Sequence, residues 1–169
     1  LAIFACVDSR HAPNGDKNIT RHTTESAFEL DEVTAAMATY NLAKFNNVKV
    51  EQADVTKLDL ATFDGAFIDP ARRELDGPKK EFTKRKYDLS ELSPSFEFVM
   101  EVAKKLPTII KLGPGLDHKE IPQDAEAVWV SDNGDLVEMT LYFGKVARQN
   151  VVRAALLLTP NGTFEINSS

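Results

Sequence analysis

The segment AFELDEVTAAMATYNLAKFNNVKVEQ, residues 27–52, decides the fold class. It opens on a short strand, Ala27 to Leu30. Asp31 stands where a side-chain oxygen accepts from the free N–H groups of a first helical turn, and predicts a helix from about Glu32 to Phe45. Val33, Ala36, Met37, Tyr40 and Ala43 recur at helical spacing and are the expected buried face. Val48 to Gln52 follows as a second strand. Strand, helix, strand is the unit from which parallel sheets with right-handed crossovers are built.

Downstream the alternation continues. Ala66, Phe67 and Ile68 are the continuous apolar run of a strand covered on both faces, Gly65 to Asp69. Ser93 or Ser95 opens a helix through Leu106 with Phe96, Val99, Met100 and Ala103 on one face, and Pro107 stops it. Thr108 to Leu112 ends in the turn Gly113-Pro114-Gly115. Three late strands are expected at Ala127–Ser131, Leu136–Phe143 and Val151–Leu158, with Asp132-Asn133-Gly134 as a hairpin signal between the first two. The predicted fold is α/β: a Rossmann-like sheet, mostly parallel, with antiparallel C-terminal strands. Residues 27–159 are its domain and residues 160–169 a tail or the start of a linker.

Residues 1–26 differ. LAIFAC is too short for periodicity to choose between a strand and the last turns of a helix. Val7 to Ser26 is polar and irregular, with Pro13, Asn14 and Gly15 as turn residues, and is expected to be an exposed, mobile insertion.

With 169 residues, 43% hydrophobic and 27% charged, the chain has length for one domain with a sizeable core. No apolar run approaches the roughly 20 residues that span a bilayer. Cys6 is the only cysteine, which excludes internal disulfides and fits the reducing cytoplasm. His11, His22 and His118 are scattered, and no metal site is expected. A net charge of -6 argues against a surface that coats nucleic acid throughout, yet Arg72, Arg73, Lys79, Lys80, Lys84, Arg85 and Lys86 gather cations in one long loop. That loop is either a solvated segment or a phosphate-binding patch.

Ligands of open α/β sheets bind at the carboxyl ends of the strands, which directs attention to Glu29, Asp54, Asp69 and Lys111. Glu29 is spaced to accept from the two hydroxyls of a ribose. Asp54 is either an acceptor for the amine of an adenine or a turn residue bonded to its own backbone. In Phe67-Ile68-Asp69-Pro70-Ala71-Arg72-Arg73 an apolar strand delivers a carboxylate to the sheet edge and proline leaves its carbonyl free as a second acceptor. Such a pair can hold an amino group with its lone pair aimed at a methyl donor, and orientation carries most of that chemistry. Lys111 is either a partner for phosphate or carboxylate, or a snorkelling side chain beside a turn.

The combination FELDEVTAAMATYNL, VEQADVT, FDGAFIDPARR, IIKLGPGLDH and NGDLVEMTLYFG resembles bacterial class I methyltransferases that carry a THUMP-like domain, over about Ala27 to Leu158. The resemblance implies S-adenosylmethionine as cofactor, held by Glu29 with Leu30 at the ribose and by Asp54 with Val55 at the adenine. It places Asp69 and Pro70 at the methyl acceptor, with Arg72, Arg73 and Lys111 on the substrate side. It implies RNA as partner, methylated at a base amino group. Two departures accompany it. Ala71 and Arg72 replace a second proline and an aromatic that would stack on the base. Nothing ahead of Ala27 supplies the family's first strand and glycine-rich cofactor loop, so both are expected to be lacking. Two other functions fit parts of this pattern: a non-catalytic RNA-binding or interaction module derived from a methyltransferase, and an NAD-dependent oxidoreductase.

Overall fold

The computed structural model describes residues 3–8, 24–72 and 88–168. In chain order its strands and helices are β1 (Ile3–Asp8), β2 (Thr24–Glu29), α1 (Glu32–Leu42), β3 (Val48–Gln52), β4 (Gly65–Asp69), β5 (Ala71–Arg72), β6 (Leu92–Ser93), α2 (Phe96–Ala103), β7 (Thr108–Leu112), β8 (Glu126–Asp132), β9 (Asp135–Phe143), β10 (Arg153–Thr159) and β11 (Gly162–Ser168). Nine strands make one sheet in the order β11-β10-β8-β9-β7-β4-β1-β2-β3, and β5 pairs with β6 in a small ribbon.

This corrects the expected mostly parallel Rossmann-like sheet. Five of the eight neighbouring pairs are antiparallel, and the described residues hold only two α-helices, so the architecture is a strand-rich mixed sheet. The decisive element is β1, which settles as a strand the segment whose sequence left strand and helix open. It pairs antiparallel with β2 on one side and β4 on the other, Ala5 opposite Ala27 and Phe67. Residues 9–23, with Gly15 and most of the expected insertion, lie outside the described residues. Strand direction still has an order: β2, β3, β4, β7, β8 and β10 run one way and β1, β9 and β11 the other. The carboxyl ends of β2, β3, β4 and β7 therefore share one edge of the sheet.

Alternation along the strands divides the two faces. Phe28, Ala66, Ile68, Ile110, Leu112, Met139, Leu141 and Phe143 point to one face and form the core with Val99 and Val102 of α2, Leu92, Leu116 and Ile121. Val99 and Val102 are at the centre of the α2 face, with Phe96, Met100 and Ala103 flanking them, and Ser95 Oγ caps the helix by accepting from Phe98 N–H at 3.3 Å. The expected hairpin forms: Asn133 and Gly134 take positive φ of 49° and 95°, as a two-residue turn between antiparallel strands requires. Gly162–Ser168, expected as a tail, pairs antiparallel with β10 as an edge strand.

The expected packing face of α1 is also corrected. Asp31 caps the helix as predicted, Oδ1 accepting from Thr34 N–H at 2.8 Å. Val33, Met37 and Tyr40, however, are 67%, 62% and 85% exposed, and Ala36 and Ala43 are exposed beside them. The stripe turned inward is Thr34, Ala35, Ala38 and Leu42, of which Ala35 is buried and the others half-buried. Alanines occupy several sides of this helix, so periodicity alone does not choose a face. Small side chains allow the closer approach to β2 and β3, and they take the interface. Accordingly Met37→Lys is expected to change stability by less than about 0.5 kcal/mol. Ala35→Leu, which forces a larger side chain into the contact, costs about 1–3 kcal/mol. Urea unfolding of the two variants checks the assignment, and the reverse ranking would restore the face expected from the sequence.

No helix among the described residues is long and apolar enough to cross a membrane.

Candidate functional site

The carboxyl-end edge of β2, β3, β4 and β7 gathers most of the residues singled out in the sequence. At the end of β2, Glu29 is buried, and its Oε1 accepts from Asp31 N–H at 3.1 Å. Its carbonyl accepts from Ala53 N–H at 2.9 Å, which ties the end of β2 to the residue before Asp54. The two acids thus belong to neighbouring strand ends. Leu30 is 60% exposed beside them, whereas Val55 turns its side chain into the core.

Asp54 behaves as the turn residue of the two alternatives. Its Oδ1 accepts from Thr56 N–H at 3.1 Å and Thr56 Oγ1 at 2.6 Å, and its Oδ2 lies 3.1 Å from Lys57 Nζ. The Thr56 hydroxyl above all, then Lys57, hold its carboxyl below the usual aspartate value. Oδ1 is thus taken by two donors, whereas Oδ2 keeps a second lone pair, and the carboxylate is partly open to solvent.

Asp69 and Pro70 leave β4 at a shallow cleft of about 230 Å³, lined also by Lys111, Leu112, Gly113, Val137 and Glu138. Pro70 is buried and Asp69 half-buried. The cleft arises from strand register. Phe67 is paired with Ile109, and Ile109 with Tyr142, so Asp69 and Lys111, two residues further along β4 and β7, share the face opposite the core. Lys111 is paired with Thr140 on β9, and Glu138, two residues before Thr140, lies on that same face. Lys111 Nζ lies 3.4 Å from Asp69 Oδ2 and 3.9 Å from Glu138 Oε2, while Glu138 Oε1 accepts from Thr140 Oγ1 at 3.2 Å. The ammonium is therefore held between two carboxylates rather than presented as a free cation. Burial first, and then the carboxylates of Glu126 and Glu138, push the Tyr142 phenol on this face above its ordinary value and keep it protonated.

Arg72 sits in β5, its backbone paired with Leu92 of β6. Arg73 and the cations Lys79, Lys80, Lys84, Arg85 and Lys86 lie outside the described residues. Glu138 is the residue that the sequence left without a role. It stands inside NGDLVEMTLYFG, but only the pairing of β9 with β7 brings it to Lys111.

No family model, curated protein or solved structure matches the chain.

Proposed function

We propose that the chain is the cofactor- and acceptor-binding part of an S-adenosylmethionine-dependent methyltransferase that acts in the cytoplasm on a base amino group of RNA. The observation that carries this is the delivery of Asp69 and Pro70 into a cleft on the same sheet edge as Glu29 and Asp54. The cofactor supplies, when bound, a methyl group on a sulfonium centre. The adenosine half of that group fits the residues in kind, because ribose hydroxyls and an adenine amine are donors and Glu29 and Asp54 are acceptors on adjoining strand ends. Leu30 offers apolar surface beside them.

For the acceptor, Asp69 takes an N–H hydrogen bond and so fixes where the nitrogen lone pair points. Alignment at near-attack distance carries the greater part of such a transfer. RNA is supported by the resemblance carried by IDPARR and by the seven cations between Ala71 and Tyr87.

Calorimetry with S-adenosylhomocysteine is the test. Saturable binding is expected, weakened in Glu29→Ala by about 1.5–3 kcal/mol, the range for hydrogen bonds to a charged group. Asp31→Ala is the control: it removes the α1 cap, lowers the melting temperature and leaves affinity unchanged. Absence of binding to the unmodified protein would refute the proposal.

A further inference from the structure

We propose that Glu138 is a substrate-contacting residue, which with Asp69 forms a two-carboxylate seat for the N–H donors of the methyl acceptor, Lys111 bridging the pair. The inference rests on the methyltransferase reading and adds to it a residue from a strand that reading does not use. Three neighbouring strands contribute one charged side chain each: Asp69 from β4, Lys111 from β7 and Glu138 from β9. Among the described residues the cleft carries two carboxylates for one ammonium, a net negative seat with acceptor capacity in surplus. Asp69 Oδ2 faces Lys111, and among the described residues Asp69 Oδ1 has no hydrogen-bond partner. Glu138 is steadied by the Thr140 hydroxyl at one oxygen, so its other oxygen is aimed toward Lys111 and the cleft.

Such a seat selects its occupant by chemistry. A phosphate or carboxylate meets net repulsion, and a carbonyl oxygen offers no donor. An exocyclic amine carries two N–H donors and so offers one to each acid. It also suits the reaction. As the acceptor nitrogen uses its lone pair to form the N–C bond, the C–S bond breaks and its electron pair leaves with sulfur, which becomes a neutral thioether. The nitrogen then carries positive charge until it loses one proton, and a carboxylate of the seat is placed to stabilise that charge and receive the proton. Lys111 is a positioning residue in this arrangement, its ammonium holding two like charges close together.

The test uses nucleosides as probes, without cofactor. Binding of guanosine, adenosine and cytidine, which bear an exocyclic amine, is compared with inosine and uridine, which lack it, by saturation-transfer NMR titration. The unmodified protein is expected to prefer the amine-bearing set by about tenfold, as hydrogen bonds to charged acceptors imply. Glu138→Gln, which replaces one acceptor oxygen by a donor at nearly constant size, is expected to erase the preference, and Glu138→Asp to recover part of it. An unmodified protein without preference, or a Glu138→Gln protein that keeps it, would overturn the inference. S-Adenosylhomocysteine calorimetry on the same preparations separates the two claims. Cofactor binding with an unchanged Glu138→Gln preference removes Glu138 alone. A Glu138-dependent preference without cofactor binding leaves the seat standing and removes the methyltransferase.

Discussion

Asp69→Ala is expected to reduce methyl transfer by about 100-fold or more while leaving S-adenosylhomocysteine affinity within about twofold of the unmodified protein. The two effects separate because Asp69 ends β4, across β1 from the Glu29 end of β2, and its side chain faces the cleft with Lys111 and Glu138. Removing the carboxylate takes away the acceptor that orients the nitrogen. It also leaves Lys111 with Glu138 as its one remaining ion-pair partner among the described residues, so the ammonium is free to shift toward β9. Folding is not expected to suffer. The Asp69–Lys111 pair spans 3.4 Å, with the side chains 31% and 41% exposed, and pairs so placed contribute about 0–1 kcal/mol. Transfer of tritiated methyl to total RNA, with calorimetry beside it, is the measurement. Wild-type turnover in Asp69→Ala would take Asp69 out of the reaction; equal losses of turnover and cofactor affinity would place it against the cofactor instead of the acceptor.

Much of the scaffold around Asp69 is legible from residue order. Val48–Gln52, Gly65–Asp69 and Thr108–Leu112 are strands with the expected bounds, because the last two are short apolar runs closed by turn chemistry and the first, VKVEQ, is a short β-branched segment between a helix and a turn. Asp31 and Ser95 announce their helices through a hydrogen bond that is local in sequence. What periodicity does not carry is direction and partner. The apolar residues of Ile3–Asp8 are compatible with a strand, but nothing in them says that it runs against β2 and β4. α1 fails for a related reason: two stripes satisfy the same spacing, and the choice belongs to the shape of the surface the helix meets. Glu138 is the clearest case at the site. In an alternating strand a glutamate reads as a solvent-facing residue, and its meaning appears only once Lys111 stands opposite Thr140, on a strand 27 positions away in the chain. Lys111 shows the converse: in sequence it reads as a contact for a phosphate or a substrate carboxylate, or as a snorkelling side chain, and the structure pairs it with two acids of the chain itself.

The largest loss of stability is expected at Arg148→Met, about 3 kcal/mol, because that change strands a buried charge. Glu126 lies at the start of β8 with its side chain 3% exposed. Both of its oxygens are taken by one residue: Oε2 accepts from Arg148 N–H and Oε1 from Arg148 Nε–H, each at 2.6 Å. Arg148 Nη1 also donates to both oxygens of Glu165 on β11, at 2.7 and 2.9 Å, so one guanidinium links the interior end of β8 to the edge strand. Breaking one side of a buried pair costs about 3–5 kcal/mol, since the remaining charge keeps its desolvation and loses its compensation. The lower end applies here, because the backbone N–H of residue 148 survives the substitution and Arg148 is itself 42% exposed, which admits water to its place. Glu165→Ala should cost far less, its carboxylate being near solvent and held also by Asn167. The double variant Glu126→Leu, Arg148→Met should recover most of the loss, as apolar replacement of a buried pair is often neutral. Urea unfolding of the three proteins decides the matter. If Arg148→Met is as stable as the unmodified chain, or if Glu165→Ala costs as much as Arg148→Met, then the buried Glu126 charge is not what makes this corner of the sheet depend on Arg148.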